Sequence, residues 1–157
     1  MSVPPTEIRL EVRDYECDLQ GIVNNAVYLN YLEHARHKQL QEIGLDFAGL
    51  HDGGLDLVVT RSEVDYLAPL KSGDQFRVES RISLLGRVRF EFLQQIFRAD
   101  DLPIVKARIV GTCLVKNGRP GIPARVLRRI LQIFHVVSDI TNSGLGFLRA
   151  LNETRRL

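Results

Sequence analysis

The most distinctive stretch of the sequence pairs a carboxylate with the start of a helix. Asp18 lies seven residues before Asn25, where a long helical pattern begins, and Gly21 between them can adopt turn conformations that a residue with a Cβ resists. A helix start carries free backbone N–H groups and the positive end of the helix dipole. A carboxylate near such groups suits a reaction that forms an oxyanion, such as attack on an acyl carbonyl.

The side chains around this pair have structural roles as well. Asn24 and Asn25 are of the type that caps helices, so we assign function to the backbone N–H of Asn25. Tyr28 is expected to pack against a sheet, with a hydroxyl close to the site as the alternative. Asp is also a common turn residue. If Asp18 is catalytic, it either attacks the carbonyl to give a mixed anhydride or deprotonates a water molecule.

Two pairs of charged residues further along the chain have strand spacing. Glu63 and Asp65 lie two apart on a strand-like run and so face the same side, which makes Glu63 a second candidate carboxylate for substrate binding or catalysis. Arg87 and Arg89 also share a face and have the chemistry to bind phosphate. A solvent-exposed strand face is the alternative explanation for both pairs.

The sequence offers little support for metal or thiol chemistry. His34 and His37 are three apart on the helical pattern, but no third ligand stands at a suitable spacing, so we expect no metal site. Cys17 is next to Asp18 with nothing nearby to activate its thiol, and Cys113 lies in an apolar run. Both cysteines are expected to be packing residues, and no cofactor is implied.

The composition is that of a single globular domain. The chain has 157 residues, of which 45% are hydrophobic and 25% charged. A formal charge of +2 does not indicate nucleic-acid binding, although a slight basic excess suits an anionic substrate such as a phosphorylated thiol cofactor. Two cysteines make no disulfide framework, and we identify neither a signal peptide nor a membrane-spanning run, so a cytoplasmic protein is expected.

Hydrophobic periodicity predicts one strand, one long helix and then four strands. Apolar and charged residues alternate from Glu7, and a helical pattern runs from about Ala26 to Ile43 with Gly44 as its C-terminal cap. The apolar face of this helix is predicted to consist of Leu29, Leu32, Leu40 and Ile43, widened by Tyr28, Tyr31 and Ala35. An irregular segment with a turn at 51–54 precedes four strand-like runs at 55–67, 75–85, 87–97 and 104–116. We therefore predict an α+β fold in which a meandering antiparallel sheet of about five strands packs around one long helix.

The C-terminal part of the chain has a different pattern. Residues 124–137 predict an amphipathic helix, and residues 138–157 are less regular. We divide the chain into a domain of residues 1–130 and a helical extension of residues 131–157, whose role is open. Packing on the sheet edge is the simpler account of the helix, and a contact with a partner or a membrane surface is the alternative.

These motifs together resemble a known family. The order D-x-x-G-x-V-x-N-x-x-Y from Asp18 to Tyr28, with the segment Y-L-A-P-L from Tyr66 to Leu70, resembles the hotdog-fold thioesterases of the 4-hydroxybenzoyl-CoA thioesterase type. The wording V-N-N-A-V-Y is similar to a subgroup that includes plant and cyanobacterial acyl thioesterases. Ile22 stands where many relatives with that wording have a histidine, so one polar contact is absent.

The resemblance implies a fold, an assembly and a reaction. It implies a sheet wrapped around the helix, a homodimer or homotetramer with the active site between subunits, and hydrolysis of an acyl thioester of coenzyme A or acyl carrier protein. It carries the catalytic carboxylate over to Asp18 and the oxyanion-binding N–H to the region of Asn25. An arginine that holds coenzyme A phosphates in some members falls near Arg87, and some members use a carboxylate from the region of Glu63.

Two other functions of this fold compete with hydrolysis. A hotdog dehydratase or hydratase resembles a different pattern, with a catalytic histidine that the helix-start motif here lacks. A non-catalytic acyl-binding module gains little from a carboxylate beside the thioester, and Asp18 is present. Release of free thiol distinguishes a thioesterase from both.

Overall fold

The computed structural model describes the backbone of residues 5–138 and the side chains of residues 5–131. In chain order the elements are β1 (Thr6–Glu11), a 3-10 turn (Asp14–Glu16), α1 (Asn25–Glu42), α2 (Phe47–Asp52), β2 (Asp56–Tyr66), β3 (Gln75–Leu85), β4 (Arg89–Arg98), β5 (Pro103–Leu114) and α3 (Ala124–Ser138). None of the helices in this part of the chain is long and apolar enough to cross a membrane.

All five strands form one antiparallel sheet in the order β1-β3-β4-β5-β2. The predicted five-stranded α+β architecture is confirmed, but a meander of four consecutive strands is wrong, because only β3, β4 and β5 follow one another. β1 takes the edge of β3, where Leu10 pairs with Phe76. β2 therefore pairs with β5 instead, from Asp56 opposite Leu114 to Tyr66 opposite Val105, and forms the other edge of the sheet.

Strict alternation on β3 and β4 builds the face that packs against α1. Every second residue is buried, namely Phe76, Val78, Ser80 and Ile82 on β3 and Phe90, Phe92, Gln94 and Ile96 on β4. From α1 this face receives Leu32 and Leu40, each 1% exposed or less, and burying one leucine contributes about 2 kcal/mol. Leu29, predicted on the same face, is 38% exposed.

Polar side chains also cross the interface between α1 and the sheet. Arg36 donates to the side chain of Gln94 (3.1 Å), whose Nε2 donates to the carbonyl of Leu32 (2.9 Å). Nε2 of Gln39 donates to the backbone oxygen of Ser80, whose hydroxyl donates back to Gln39 Oε1, both at 2.9 Å. Burial lowers the pKa of Arg36. These paired groups satisfy the polar atoms that the interface would otherwise leave without partners.

The short helix α2 stands where an irregular segment was predicted. The side chain of Asp46 accepts from the N–H of Gly49 at 2.8 Å and so caps α2 at its start. A six-residue helix gives too short a periodic pattern to separate it from a loop in the sequence, whereas the Asp46 cap is the signal that was overlooked.

The predicted C-terminal helix is confirmed as α3, and it lies against the ends of two other helices. Val126 and Ile130 are each 1% exposed and join the main core. A Cβ built on Gly44, which follows α1 and has φ of +73°, would stand 3.5 Å from Cζ of Arg129. A Cβ on Gly53, at the end of α2, would stand 2.8 Å from Nη2 of Arg125. The predicted boundary at residue 130 falls within α3, and residues 139–157 lie outside the described part of the chain.

Candidate active site

Asp18 begins a tight loop that is closed by its own backbone. Cys17 and Val23 form an antiparallel bridge, and inside it the N–H of Asp18 donates to the carbonyl of Ile22 at 2.9 Å. The N–H of Gly21 donates to the carbonyl of Asp18 at 3.0 Å, with φ of Gly21 at +75°. This backbone conformation favours glycine, so the predicted turn role of Gly21 is met.

The carboxylate of Asp18 is exposed and only partly engaged. Its Oδ1 accepts from the N–H of Gln20 at 2.8 Å, which is the local turn bond that Asp commonly makes. Its Oδ2 has no hydrogen-bond partner among the side chains of residues 5–131 or the described backbone. The turn interpretation of Asp18 is therefore correct, and it leaves one carboxylate oxygen available for chemistry.

The first turn of α1 has one capped N–H and one free N–H. Asn24 is the N-cap, and its Oδ1 accepts from the N–H of Ala26 at 2.9 Å, as its residue type predicts. The N–H of Val27 bonds to the carbonyl of Asn24 at 2.9 Å. The N–H of Asn25 finds no acceptor in the described part of the chain. This donor stands at the positive end of the α1 dipole.

A cavity of about 400 Å³ brings the Asp18 loop, the start of α1 and the segment after β2 together. Its lining consists of Asp18, Gln20, Ile22, Val23, Asn25, Tyr28, Tyr66, Leu67, Ala68 and Pro69. The two segments that carried the resemblance, 18–28 and 66–70, thus line one open cavity.

Two tyrosines tie the walls of this cavity to each other. The N–H of Leu70 donates to the hydroxyl of Tyr28 at 3.0 Å, and the hydroxyl of Tyr66 donates to the carbonyl of Asn25 at 3.1 Å. The two ring centroids are 5.7 Å apart. Burial raises the pKa of Tyr28, so its phenol stays neutral at ordinary pH. Tyr28 packs as predicted with its hydroxyl beside the site, whereas Tyr66 was quoted for its motif and given no role.

Glu63 lies away from this cavity. It is three positions before Tyr66 on β2, so the two side chains project from opposite faces of the sheet. Its carboxylate pairs with Arg61 at 2.7 Å and with Arg108 at 3.6 Å. Within one chain the structure therefore does not place Glu63 with Asp18, and it gives the carboxylate partners on a solvent-facing surface.

Arg87 also lies apart from Asp18 within one chain. It is in the turn between β3 and β4, whereas the Asp18 loop contacts the segment just before β3, where the N–H of Val23 bonds to the carbonyl of Leu70 at 2.9 Å. β3 has 11 residues and therefore spans about 35 Å. A single chain cannot bring Arg87 into the cavity that Asp18 lines.

His37 and the two cysteines have packing roles, whereas His34 is exposed and His51 pairs with Asp56 at the surface. His37 stacks on Phe47 with centroids 4.1 Å apart and approaches Glu33 at 3.7 Å. Cys113 is fully buried, which raises the pKa of its thiol, and Cys17 is half-buried. Among the side chains of residues 5–131, no three of the types that bind metals are grouped to hold an ion.

A five-stranded antiparallel sheet packed against one long helix, with a loop carboxylate at that helix's start, is the arrangement of a hotdog protein of the thioesterase type. The chain belongs to the thioesterase-like superfamily, whose family profile matches residues 12–130. The family resemblance stated from the sequence is therefore confirmed.

Relatives of this chain include named enzymes from plants and bacteria. The chloroplastic acyl-acyl carrier protein thioesterase ATL2 of Arabidopsis thaliana is 41% identical over 122 residues, which cover 76% of this chain and 65% of that protein. The chain thus matches less than two thirds of the plant relative's length. The acyl-CoA thioester hydrolase YbgC of Escherichia coli O157:H7 is 26% identical over 111 residues, covering 69% of this chain and 83% of that one.

A solved thioesterase has the same fold. The crystal structure of a thioesterase from Thermus thermophilus, complexed with coenzyme A and Zn, has a TM-score of 0.72 and 34% identity. The match covers 85% of this chain and 96% of that chain.

Proposed function

We propose that this protein hydrolyses an acyl thioester to a carboxylic acid and a thiol. The observation that carries the proposal is that the free carboxylate oxygen of Asp18 and the unpaired N–H of Asn25 belong to residues that line one cavity. A carboxylate supplies either the nucleophile or the base, and the helix start supplies the donor for the oxyanion.

The geometry suits a thioester better than an ester or an amide. A thiolate is a good leaving group, so the reaction needs no strong general acid, and none lines the cavity. One donor aimed at an oxyanion contributes about 100-fold or more to kcat. A free N–H at the positive end of α1 supplies that contribution without any histidine in the loop.

The relatives support a proposal for the carrier of the acyl group. ATL2 is named for acyl carrier protein thioesters, YbgC is named for acyl-CoA thioesters, and the Thermus thioesterase was crystallised with coenzyme A. We therefore propose acyl-CoA or acyl carrier protein thioesters as substrates, with a place in fatty acid metabolism. The cytoplasmic location expected from the sequence stays a prediction.

We further propose that the working unit is a homodimer that pairs along β2. β2 is an edge strand, and apolar side chains on it and next to the cavity are exposed, including Val59 at 53% and Leu67 at 56%. An edge strand presents unpaired backbone groups that a second strand can satisfy. Leu19, at the tip of the Asp18 loop, is fully exposed, which also favours a covering subunit.

Such a dimer would give Arg87 a role. Antiparallel pairing of two β2 strands sets the first residues of one strand beside the last residues of the other. The β3–β4 turn lies at the β2 start, since Asp56 is opposite Leu114 and Thr112 is opposite Arg89. Arg87 of the partner subunit would then approach the Asp18 cavity, where it suits the phosphates of coenzyme A.

Thiol release tests the reaction. Wild type, Asp18→Asn and Asp52→Asn are followed on aromatic and aliphatic thioesters of coenzyme A and acyl carrier protein. Asp52 is an exposed carboxylate at the end of α2, outside the cavity and the proposed dimer edge, so its variant controls for loss of one surface charge. We expect Asp18→Asn to lose about 100-fold or more in kcat and Asp52→Asn to retain activity.

Three results would contradict the proposal. Equal activity of wild type and Asp18→Asn would remove Asp18 from the chemistry and make Glu63 the next candidate. A folded wild type that binds acyl thioesters but releases no thiol would favour the binding module, and hydration of an enoyl thioester would favour the dehydratase.

A further inference from the structure

A buried carboxylate connects the Asp18 loop to α1. Glu16 ends the 3-10 turn two residues before Asp18 and is 8% exposed. Its Oε2 accepts from the hydroxyl of Tyr31 at 2.6 Å, and Tyr31, in the second turn of α1, is 6% exposed. Acidic side chains are rarely buried to this extent unless they are paired. The burial of the Glu16 carboxylate is therefore tied to its hydrogen-bond partners.

The remaining contacts of Glu16 are with Arg13, just before the 3-10 turn, and with the start of α1. The N–H of Arg13 donates to Oε2 at 2.8 Å, and the Arg13 guanidinium lies 3.4 Å from Oε1. The backbone carbonyl of Glu16 accepts from the N–H of Asn24, the N-cap of α1, at 3.0 Å. One residue thus holds the helix start through its backbone and the second helical turn through its side chain.

Tyr31 is held in a fixed position by its neighbours. Its ring centroid is 4.7 Å from that of Phe76 on β3 and 6.2 Å from that of Tyr28 at the cavity wall. Burial and the Glu16 carboxylate both raise the pKa of Tyr31, so the phenol stays protonated and donates. The phenol of Tyr31 is therefore a hydrogen-bond donor at ordinary pH.

We propose that Glu16 and Tyr31 are positioning residues, whose hydrogen bond sets the placement of the Asp18 carboxylate relative to the Asn25 N–H. This inference rests on the proposed thioester hydrolysis. Neither side chain lines the Asp18 cavity, so neither touches the reacting atoms. The loop leaves Glu16 in one direction to reach Asp18, and α1 begins at the N-cap that the Glu16 carbonyl holds. A displacement of about 1 Å at a reacting group costs about 100-fold in rate.

Tyr31→Phe removes the hydroxyl and keeps the ring. We expect kcat for thiol release to fall about tenfold while KM stays within about twofold, because the chemistry is misaligned and the cavity is intact. A role in stability alone predicts a lower melting temperature with kcat per folded molecule unchanged.

Ser80→Ala is the matched control. Ser80 Oγ also makes a buried hydrogen bond between the sheet and α1, to Gln39 at 2.9 Å, but it lies more than two turns further along the helix. We expect this variant to lose comparable stability and to keep kcat within about twofold of wild type. A fall in kcat for Tyr31→Phe no greater than that for Ser80→Ala would overturn the proposal.

Hydrogen exchange separates this inference from the proposed function. The amides of Asp18, Gly21 and Val23 are bonded within or beside the loop, so their exchange rates report its order without any substrate. We expect exchange of these amides to accelerate at least about tenfold in Tyr31→Phe and not in Ser80→Ala. Unchanged exchange would overturn the positioning role, whether or not the wild type hydrolyses thioesters.

A pair of Glu16 variants supplies the rescue. Glu16→Gln keeps an oxygen that accepts from Tyr31, and Glu16→Ala does not. We expect Glu16→Gln to retain kcat within about threefold and slow loop exchange, while Glu16→Ala resembles Tyr31→Phe in both readouts. Equal effects of the two substitutions would show that the hydrogen bond to Tyr31 is not what holds the loop.

Discussion

The two ends of α1 differ in whether their terminal backbone groups have hydrogen-bond partners. At its C-terminal end the carbonyl of Leu40 accepts from the N–H groups of Ile43 and Leu45, the N–H of Gly44 bonds to Gln41, and the Arg129 guanidinium lies against Gly44. At its N-terminal end the Asn25 N–H has no partner among the described residues, and the helix opens into a cavity.

This difference between the two helix ends fits the reaction that we propose. Carbonyls at a helix C-terminus are stabilised when donors and a cation cover them, and here they are covered. N–H groups at a helix start are equally in need of a partner, and leaving one free costs stability unless a substrate uses it. The open end therefore fits an anionic transition state, and the closed end fits a purely structural role.

The largest expected effect comes from removing the free N–H itself. Asn25→Pro is tolerated at the first helical position, and Asn24, with φ of −59° and ψ of 136°, already has the extended conformation that precedes proline. We expect kcat for thiol release to fall about 100-fold or more with little change in melting temperature. Asn25→Ala, which keeps the N–H, is the control. Full activity of the proline variant would mean that another donor holds the oxyanion.

A smaller effect on kcat should distinguish two glycines that have nearly the same backbone conformation. Gly21 (φ +75°) and Gly44 (φ +73°) are both in the left-handed region, so alanine at either is expected to cost about 1–2 kcal/mol of unfolding free energy. Thermal denaturation should show similar losses for the two variants. Only Gly21→Ala should also lower kcat, by about tenfold, since it alone reshapes the Asp18 loop. Equal kcat values for Gly21→Ala and Gly44→Ala would contradict the proposed difference between the two ends of α1.

The smallest effect is expected at the closed end. Arg129→Ala removes the cation beside the α1 C-terminus and should lower the unfolding free energy by about 0.3–1 kcal/mol, less at high salt. Arg128→Ala, which loses only a bond within α3 to the Ala124 carbonyl, is the control. Denaturant titration measures both, and kcat should be unchanged. A stability loss for Arg128→Ala as large as that for Arg129→Ala would argue against the dipole interaction.

Local patterns predicted most of the elements but not the position of every strand. Alternation predicted β3 with its observed bounds, Gln75–Leu85, because one face is buried from Phe76 to Ile82. The place of β2 depends on which strand takes the edge of β3, and that choice is made by β1, far away in the sequence. The hydrophobic periodicity of a strand does not depend on which distant strand it pairs with, so the pairing could not be predicted from it.

The site was predicted where its residues are close in sequence. Asp18, Gly21 and Asn25 lie within one short segment; Asp18 and Asn25 line one cavity, and Gly21 is in the turn between them. The separation of Arg87 from the Asp18 cavity is set by the length of β3, and only the fold shows that β3 lies between them. Glu16 was overlooked because a glutamate in a polar segment is expected to be exposed, and its burial requires Tyr31, which lies a helix turn and a loop away.

The polar contacts between α1 and the sheet have a consequence for the uniqueness of the fold. Apolar residues on α1 do not form a single clean stripe, because polar Arg36 and Gln39 are among its buried side chains. Hydrophobic burial alone would therefore allow the helix to rotate about its axis at modest cost. Gln94 contacts both Arg36 and the carbonyl of Leu32 at only one rotation of the helix, so this contact fixes the rotation of α1 about its axis and with it the direction in which the helix start faces. In this protein the aim of the N-terminal donor is set from the middle of the helix.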